Sequence, residues 1–574
     1  MEPRACGIET EYALSLERRD RSLGSVDPGL LFQRLEEELM ARHRTLESDS
    51  FGRQDFGPGR EGIEIREGRF LECGARFYYD TGHVEWATPE TPTPREAALY
   101  ELAGERTLAQ LARQTAPPGE ARLMLVKNNV DYAQGATYGC HENFQIRRAP
   151  SHRQDRRLFA DLVHHLVPFL VTRQLYCGAG RLGSAGTDSV GFQISQRADY
   201  IERVVSPDAR NQRALVNDRD ESLGDDRRFR RLHLILGDSN RNPMASLLKV
   251  GATALVLQMW EAGRAPSLPA LAQPVEAFKL VSRDLSCRRS LLLQDGRAST
   301  AVEIQRIYLE AAERFLGPAP DGAGAEILAL WREALDDLTE DPWRLADRVD
   351  WVAKLRHVLS PLVERRKTTW AEVTAWNQII ERLRRESPRL GADGEPTPAQ
   401  YARFQFLVER SGLRWNSYPE QLRLFFELRE RDLRYHDIDD EHSLFGLLTR
   451  EGLVRRAFDE GQIRSAQRDP PRSRARLRAE IIRWAHREGR DGETLLDWSK
   501  AALVGCRRNL LMEDPLAFDE GSLRAFLDGE RGAEEIPPRG EEEIQIRILG
   551  VDRVSPPPGS EGGFRSWLQR IFNR

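Results

Sequence analysis

No run of about 18 consecutive apolar residues occurs in this chain, so the sequence predicts no membrane-spanning helix. Six cysteines are scattered at Cys6, Cys73, Cys140, Cys177, Cys287 and Cys506. No two form a CxxC pair, which removes the signature of a zinc site or a disulfide framework. Positive charge is not in excess: the formal net charge of −5 argues against a general nucleic-acid binder. Arginine far outnumbers lysine, which reads as a compositional bias and not a binding patch. No internal repeat is visible. A strand-like pattern begins at Gly7 and leaves no room for a signal peptide, so a cytoplasmic protein is expected.

What is present fits an enzyme. The 574 residues suit one very large domain or two to three ordinary ones. Hydrophobic residues make up 40% and support a core, while 30% charged residues indicate a solvated surface. Leu30, Leu31, Leu35 and Leu39 give residues 29–46 helical spacing. Residues 48–70 are polar and glycine-rich and read as a loop, and 71–90 read as a strand ended by Pro89. Helix is expected over 95–114, 156–176 and 244–261, and strand over 123–126, 144–146 and 232–236. The chain then reads as mainly helical to about residue 455, including an extra segment around 365–420. Strands mixed with long helices in this irregular order indicate the α+β class.

Arg468-Asp469-Pro470-Pro471 marks a boundary zone, and a compact segment with a strand near Ala501–Val504 follows. The expected division is 1–455, 456–532 and a tail at 533–574. The tail is rich in Glu, Pro and Gly up to residue 563 and reads as a flexible linker. It ends in Phe564–Phe572, which is amphipathic at helical spacing.

The most telling stretch is Gly7-Ile8-Glu9-Thr10-Glu11-Tyr12. Strand residues two apart share a face, so Glu9 and Glu11 would point the same way. Like charges held side by side repel unless a cation or proton lies between them. Oxygen ligands suit Mg²⁺, which usually binds nucleotide phosphates too. An exposed edge strand with two solvated glutamates is the plain alternative. Three further stretches carry isolated acids, His or Asn in apolar runs: Arg76–Thr88, Lys127-Asn128-Asn129 through Tyr138–Phe144, and Leu232–Asn240.

Together these motifs, with Gln305-Arg306, Tyr435–Ile438 and Asp497-Trp498, resemble the enzymes acting on the small bacterial protein modifier Pup. That family comprises the Pup ligase (PafA) and the depupylase/deamidase (Dop). The resemblance reaches to about residue 530. It implies a glutamine-synthetase-like large domain, whose curved antiparallel sheet and helices cradle ATP and metal, plus a small C-terminal domain closing the nucleotide site. It further implies Mg²⁺ held by Glu9, Tyr78 and Glu85, with His141 and His233 beside it. Arg76, Thr88, Arg197 and Trp498 match the nucleotide side, and Asp80 matches the catalytic aspartate. Read alone, either His is a structural residue, Trp498 a core tryptophan and Asp80 a solvated carboxylate. Implied partners are a Pup-like modifier, modified proteins and the bacterial proteasome pathway, with no nucleic acid and no membrane.

The two branches share a site but not a reaction. Four features resemble the depupylase: two residues (Thr81, Gly82) between Asp80 and His83, a long loop before Gly74, Gly191–Ile201, and Val281–Asp284 with Glu303–Leu309. Cys140 and Tyr435–Ile438 resemble the ligase, while Val84, Trp86 and the 48–70 loop depart from the family pattern. The expectation is an ATP/Mg-dependent hydrolase cleaving the isopeptide bond between modifier and lysine, and deamidating a C-terminal Gln where one exists. The alternative within the family is the ligase, which phosphorylates the modifier's C-terminal Glu and joins it to lysine. Outside that pair stand a small-molecule carboxylate–amine ligase and a silent ATP-sensing binder.

Overall fold

The computed structural model describes residues 1–20, 23–24, 27–48, 68–80, 82–116, 122–132, 136–184, 191–208, 212–219, 221–320, 322–386, 397–411, 418–503 and 508–529. Much of the 48–70 loop and the whole expected tail therefore lie outside the described residues.

Among the described residues, thirteen strands precede the helix Pro243–Glu261. They are β1 (Cys6–Glu17), β2 (Leu23–Gly24), β3 (Thr45–Glu47), β4 (Arg69–Leu71), β5 (Arg76–Asp80), β6 (His83–Ala87), β7 (Arg122–Val126), β8 (Cys140–Arg147), β9 (Arg181–Leu182), β10 (Phe192–Gln193), β11 (Arg203–Ser206), β12 (Ala214–Asn217) and β13 (Phe229–Leu234). An eleven-stranded sheet runs β11-β12-β13-β8-β1-β6-β5-β4-β3, with β2 and β7 also on β1. β9 and β10 pair separately. The sheet is antiparallel except for the parallel β11–β12 pair. β1 is long enough to be shared: Cys6–Thr10 pairs with β8 and Ala13–Glu17 with β7.

Period-two alternation gives the sheet two unlike faces. Ile8, Thr10 and Tyr12 of β1, and Cys140, Glu142 and Phe144 of β8, are buried, while Gly7, Glu9, Glu11, His141 and Asn143 are only half-buried. The one charge on the buried face of β8, Glu142, is matched by buried Arg173, whose Nη1 donates to Oε2 at 2.8 Å. Helices cover that face. Thr93 caps α2 (Pro94–Thr115) through Glu96 N, and Pro94 takes the first turn, where its missing N–H costs nothing. Gly104 of α2 lies so near Trp86 of β6 that a Cβ there would stand 2.3 Å from the indole Nε1. Phe32 of α1 (Pro28–Arg42) stacks on Phe77 at 4.9 Å between ring centroids. The helix Pro243–Glu261 is apolar on every side and buried accordingly.

A second, smaller body holds its own core. The helix Ala475–Glu488, the strands Thr494–Leu496, Lys500–Leu503 and Arg508–Leu511, and the helix Glu520–Asp528 bury Leu477, Ile481, Leu496, Leu510 and Phe526. Leu46 of β3 and Phe70 of β4 enter the same cluster, so this body is packed on the sheet edge. The helix Glu460–Ala466 instead puts Ile463 and Ala466 into the cores of the large body.

Several expected bounds shift. The first helix ends at Arg42, because Thr45–Glu47 is drawn into pairing with β4. The single strand expected over 71–90 is a meander of β4, β5 and β6, turning at Gly74 (φ +84°) and Gly82 (φ +98°). The helix expected at 156–176 starts at His152 and breaks at Arg173. A small hairpin, Ser290–Leu292 with Ala298–Thr300, interrupts the region expected to be helical. The extra segment contains the helices Trp370–Glu386 and Pro398–Ser411.

Candidate active site

Register assembles the site. Glu9 lies between His141 of β8 and Ala87 of β6. Glu11 faces Glu85, Glu85 faces Tyr78, and Asp80 faces His83. On the far side His233 faces Asn143, and Arg231 faces Gln145. Directly opposed residues project to the same face of a sheet. Five strands thus contribute to one polar surface, though their residues are scattered over the first 240 positions.

At the centre the Tyr78 hydroxyl donates to Glu85 Oε2 at 2.5 Å and also contacts Glu9 Oε1. His141 Nδ1 lies 3.2 Å from Glu9 Oε2. The His141 and His233 rings meet edge to face, 5.0 Å between centroids. Glu9, His141 and His233 each present a ligand atom within 4.8 Å of the others. His233 is 6% exposed, and neither of its ring nitrogens has a hydrogen-bond partner among the described residues.

Charge is unbalanced here. Burial, then the neighbouring Glu9 and Glu11 charges, push the Glu85 carboxyl well above its ordinary range. Burial opposes ionisation of Glu9 too. The hydrogen bond and charge of His141 and the Tyr78 hydroxyl outweigh that and hold it well below the usual range. Burial, with Arg231 and His141 nearby, keeps the His233 imidazole far below its usual value and hence neutral, with a lone pair free. Orphaned imidazole nitrogens beside crowded carboxylates fit a divalent cation. The oxygens of Glu9, Glu85 and Tyr78 suit Mg²⁺, and the imidazoles also suit Mn²⁺.

Glu11 shares the face but has protein partners. Its Oε2 accepts from Gly139 N at 2.8 Å and lies 2.8 Å from His83 Nδ1. It therefore ties the β5–β6 hairpin to the 136–139 loop. Asp80 ends β5 at that hairpin with its side chain exposed. Arg76 lies on the same face, its guanidinium 4.6 Å from the Tyr78 ring centroid and its Nε 3.0 Å from Ser48 Oγ.

A cleft open to solvent leads from Glu9 across Gly7, Thr88 and Asn143 to Trp498 and Pro515 of the small body. Thr88 Oγ1 accepts from Ile8 N at 3.0 Å at its edge. Trp498 packs edge-on to Phe70 at 5.1 Å. The small body is locked against this wall by Glu90, which accepts from Arg474 Nε at 2.6 Å and from Arg478 Nη1 at 3.1 Å. Burial alone would raise the Glu90 carboxyl, but the two guanidinium groups bring it down to about 2.

The structure thus gathers Glu9, Tyr78, Glu85, His141 and His233, sets Asp80 and Arg76 on the same face, and lines the adjoining cleft with Thr88 and Trp498. Arg197 does not line that cleft. It is buried beneath the 136–139 loop, donating to Thr137 Oγ1 (3.0 Å), Tyr138 O (2.7 Å) and Ile235 O (2.8 Å). The sequence reading missed Glu90, Arg474, Arg478 and Arg231. Only their three-dimensional pairing sets them apart from the chain's many other charged residues.

A family model described as "Pup-ligase protein" matches residues 4–379 and 373–502. A depupylase of Acidothermus cellulolyticus is 37% identical over 407 residues, 70% of this chain and 69% of that protein. A Pup deamidase/depupylase of Mycobacterium tuberculosis is 36% identical over 421 residues, 72% of this chain and 71% of that protein. A Pup–protein ligase of Actinosynnema mirum is 33% identical over 531 residues, 91% of this chain and 98% of that protein. Among solved structures, the complex of Pup with its ligase PafA superposes with a TM-score of 0.68 at 27% identity, covering 92% of this chain and 91% of that one. The Pup ligase PafA in complex with ADP gives 0.62 at 26%, covering 84% and 98%.

Proposed function

This chain belongs to the Pup-ligase family, and from that premise we propose that it is a nucleotide-dependent hydrolase releasing a Pup-like modifier from the lysines of modified proteins. Deamidation of a modifier ending in Gln is the same chemistry with ammonia as the leaving group. The observation that carries the hydrolase reading is the tight hairpin at Asp80. Asp80 and His83 are directly paired, with only two residues between them in the sequence. The higher identity to depupylases than to the ligase supports it.

In this reading Glu9, Tyr78, Glu85, His141 and His233 hold Mg²⁺, and Arg76, Thr88 and Trp498 hold ATP. Bound there, the cation would supply the positive charge that offsets the crowded carboxylates, the nucleotide phosphates and the developing oxyanion. Asp80, exposed at the rim, takes a proton from the water that attacks the isopeptide carbonyl, or attacks that carbonyl itself to give an acyl-aspartate that water then hydrolyses, water supplying the proton for the amine in either case. The C–N bond breaks, and the lysine amine leaves with a proton. The Glu11 bridge between His83 and Gly139 fixes the hairpin, and Arg197 fixes the loop it is tied to. Proteins destined for the bacterial proteasome pathway would be its substrates.

One observation favours the ligase instead: the ligase of Actinosynnema mirum aligns over far more of the chain than either depupylase. Counting ADP separates the two. A hydrolase releases many modifiers per nucleotide turned over. A ligase forms one ADP for each conjugate made, and that stoichiometry would refute the hydrolase reading.

A further inference from the structure

The turn Glu221–Asp225 forms part of the cleft wall, and its backbone is unusual. Leu223 lines the cleft and holds φ at +50°, a region that bulky residues rarely adopt. The surrounding structure enforces this from two sides. Arg231 on β13 grips Glu221 at 3.3 Å. The small body grips the other end: Asp225 N donates to Glu513 O at 3.0 Å, and Arg228, just beyond the turn, pairs with Asp514 at 3.1 Å. The approach is close enough that a Cβ on Gly224 would stand 2.5 Å from Glu513 O. A glycine at 223 would make this turn without strain. Leucine there costs stability yet puts an apolar side chain on the cleft.

The sheet beside it contributes polar groups to the same cleft. Gln145, opposite Arg231 and lining the cleft, has an Nε2 without a partner among the described residues. It lies four residues from His141, about 13 Å along the strand. That is the reach of a nucleoside triphosphate from its terminal phosphates to its base.

We propose that Leu223 is a specificity-determining residue for the nucleotide. Held in a strained turn clamped by the small body, it presents the apolar platform on which the nucleobase rests, beside the Gln145 amide. This rests on the reading of the cleft as a nucleotide site.

The test uses the full-length protein with Mg²⁺, titrated calorimetrically with ATP and with inorganic tripolyphosphate, which has the phosphates but no base. Leu223→Gly is expected to weaken ATP about tenfold while leaving tripolyphosphate unchanged. Relief of the positive φ should keep its melting temperature without nucleotide at or above that of the parent. Leu223→Asn, which tolerates the same backbone conformation, should repeat the ATP loss, and Leu223→Met should restore binding. ATP binding unchanged in Leu223→Gly and Leu223→Asn would overturn the proposal. So would equal weakening of ATP and tripolyphosphate, which marks a structural role. No ATP binding by the unsubstituted protein would overturn the nucleotide reading itself, and this inference with it.

Discussion

Asp80 is where the chemistry of the site is most exposed to test. Its side chain is exposed at the rim, so Asp80→Asn should fold and bind nucleotide as the parent does. Its turnover should fall by about two orders of magnitude or more, measured as the rate of modifier release at saturating conjugate. Unchanged turnover would remove Asp80 from the mechanism. At this scale the sequence was legible wherever period two decides direction. The alternation in Gly7–Tyr12 and Arg76–Asp80 places Glu9, Glu11, Tyr78 and Asp80 correctly on one face. It did not reveal what each side chain meets. Glu11, the twin of Glu9 in the sequence, is consumed by His83 and Gly139. Arg197 matches a nucleotide-binding position by resemblance, yet its described bonds go to protein oxygens under a loop. Contacts of this kind depend on register and chain path, which one strand's pattern does not carry.

Among the elements, the contact of α2 with β6 sets how closely helix and sheet approach. Gly104 permits it by leaving room for the Trp86 ring. Gly104→Ala gains helix propensity but forces a methyl group into the indole. The net expectation is destabilisation of about 1–3 kcal/mol, read from urea unfolding. A stabilised variant would contradict the packing described. The misread elements share one cause. Thr45–Glu47 and Arg69–Leu71 are too short to announce themselves, and they are strands because Arg69–Leu71 pairs on one side with β5 and on the other with Thr45–Glu47. The 71–90 stretch looked continuous because its turns rest on single glycines, Gly74 and Gly82, whose positive φ no neighbouring residue advertises. The long amphipathic helices were legible because their periodicity is local.

For the whole molecule, the decisive joint is between the sheet edge and the small body, across the cleft. Glu90 and its two arginines hold it. The Glu90 carboxyl sits at about 2 against an ordinary 4.5, so its stabilising contribution is complete above about pH 4.5. It fades as the pH falls from there and is gone below about 2. At neutral pH it is worth at most about 3 kcal/mol, since the buried guanidinium groups give up hydration to make the pair. Glu90→Gln should lower stability at neutral pH, weaken nucleotide binding, and unfold with a gap to the parent that narrows between pH 4.5 and 2. A gap constant across that window would mean Glu90 is not the titrating link. The sequence announced a compact segment after Arg468–Pro471, but not that Leu46 and Phe70 from the first seventy residues complete its core.

The most direct test of hydrolysis as the activity of this chain is one gel assay with purified protein, Mg²⁺-ATP and the host's own Pup-like modifier. One lane holds a preformed modifier–protein conjugate and the other holds free modifier with an unmodified target. Release of free modifier in the first lane, with no new band in the second, is the predicted result. A new high-mass conjugate in the second lane, with the first unchanged, would contradict it and make the protein a ligase.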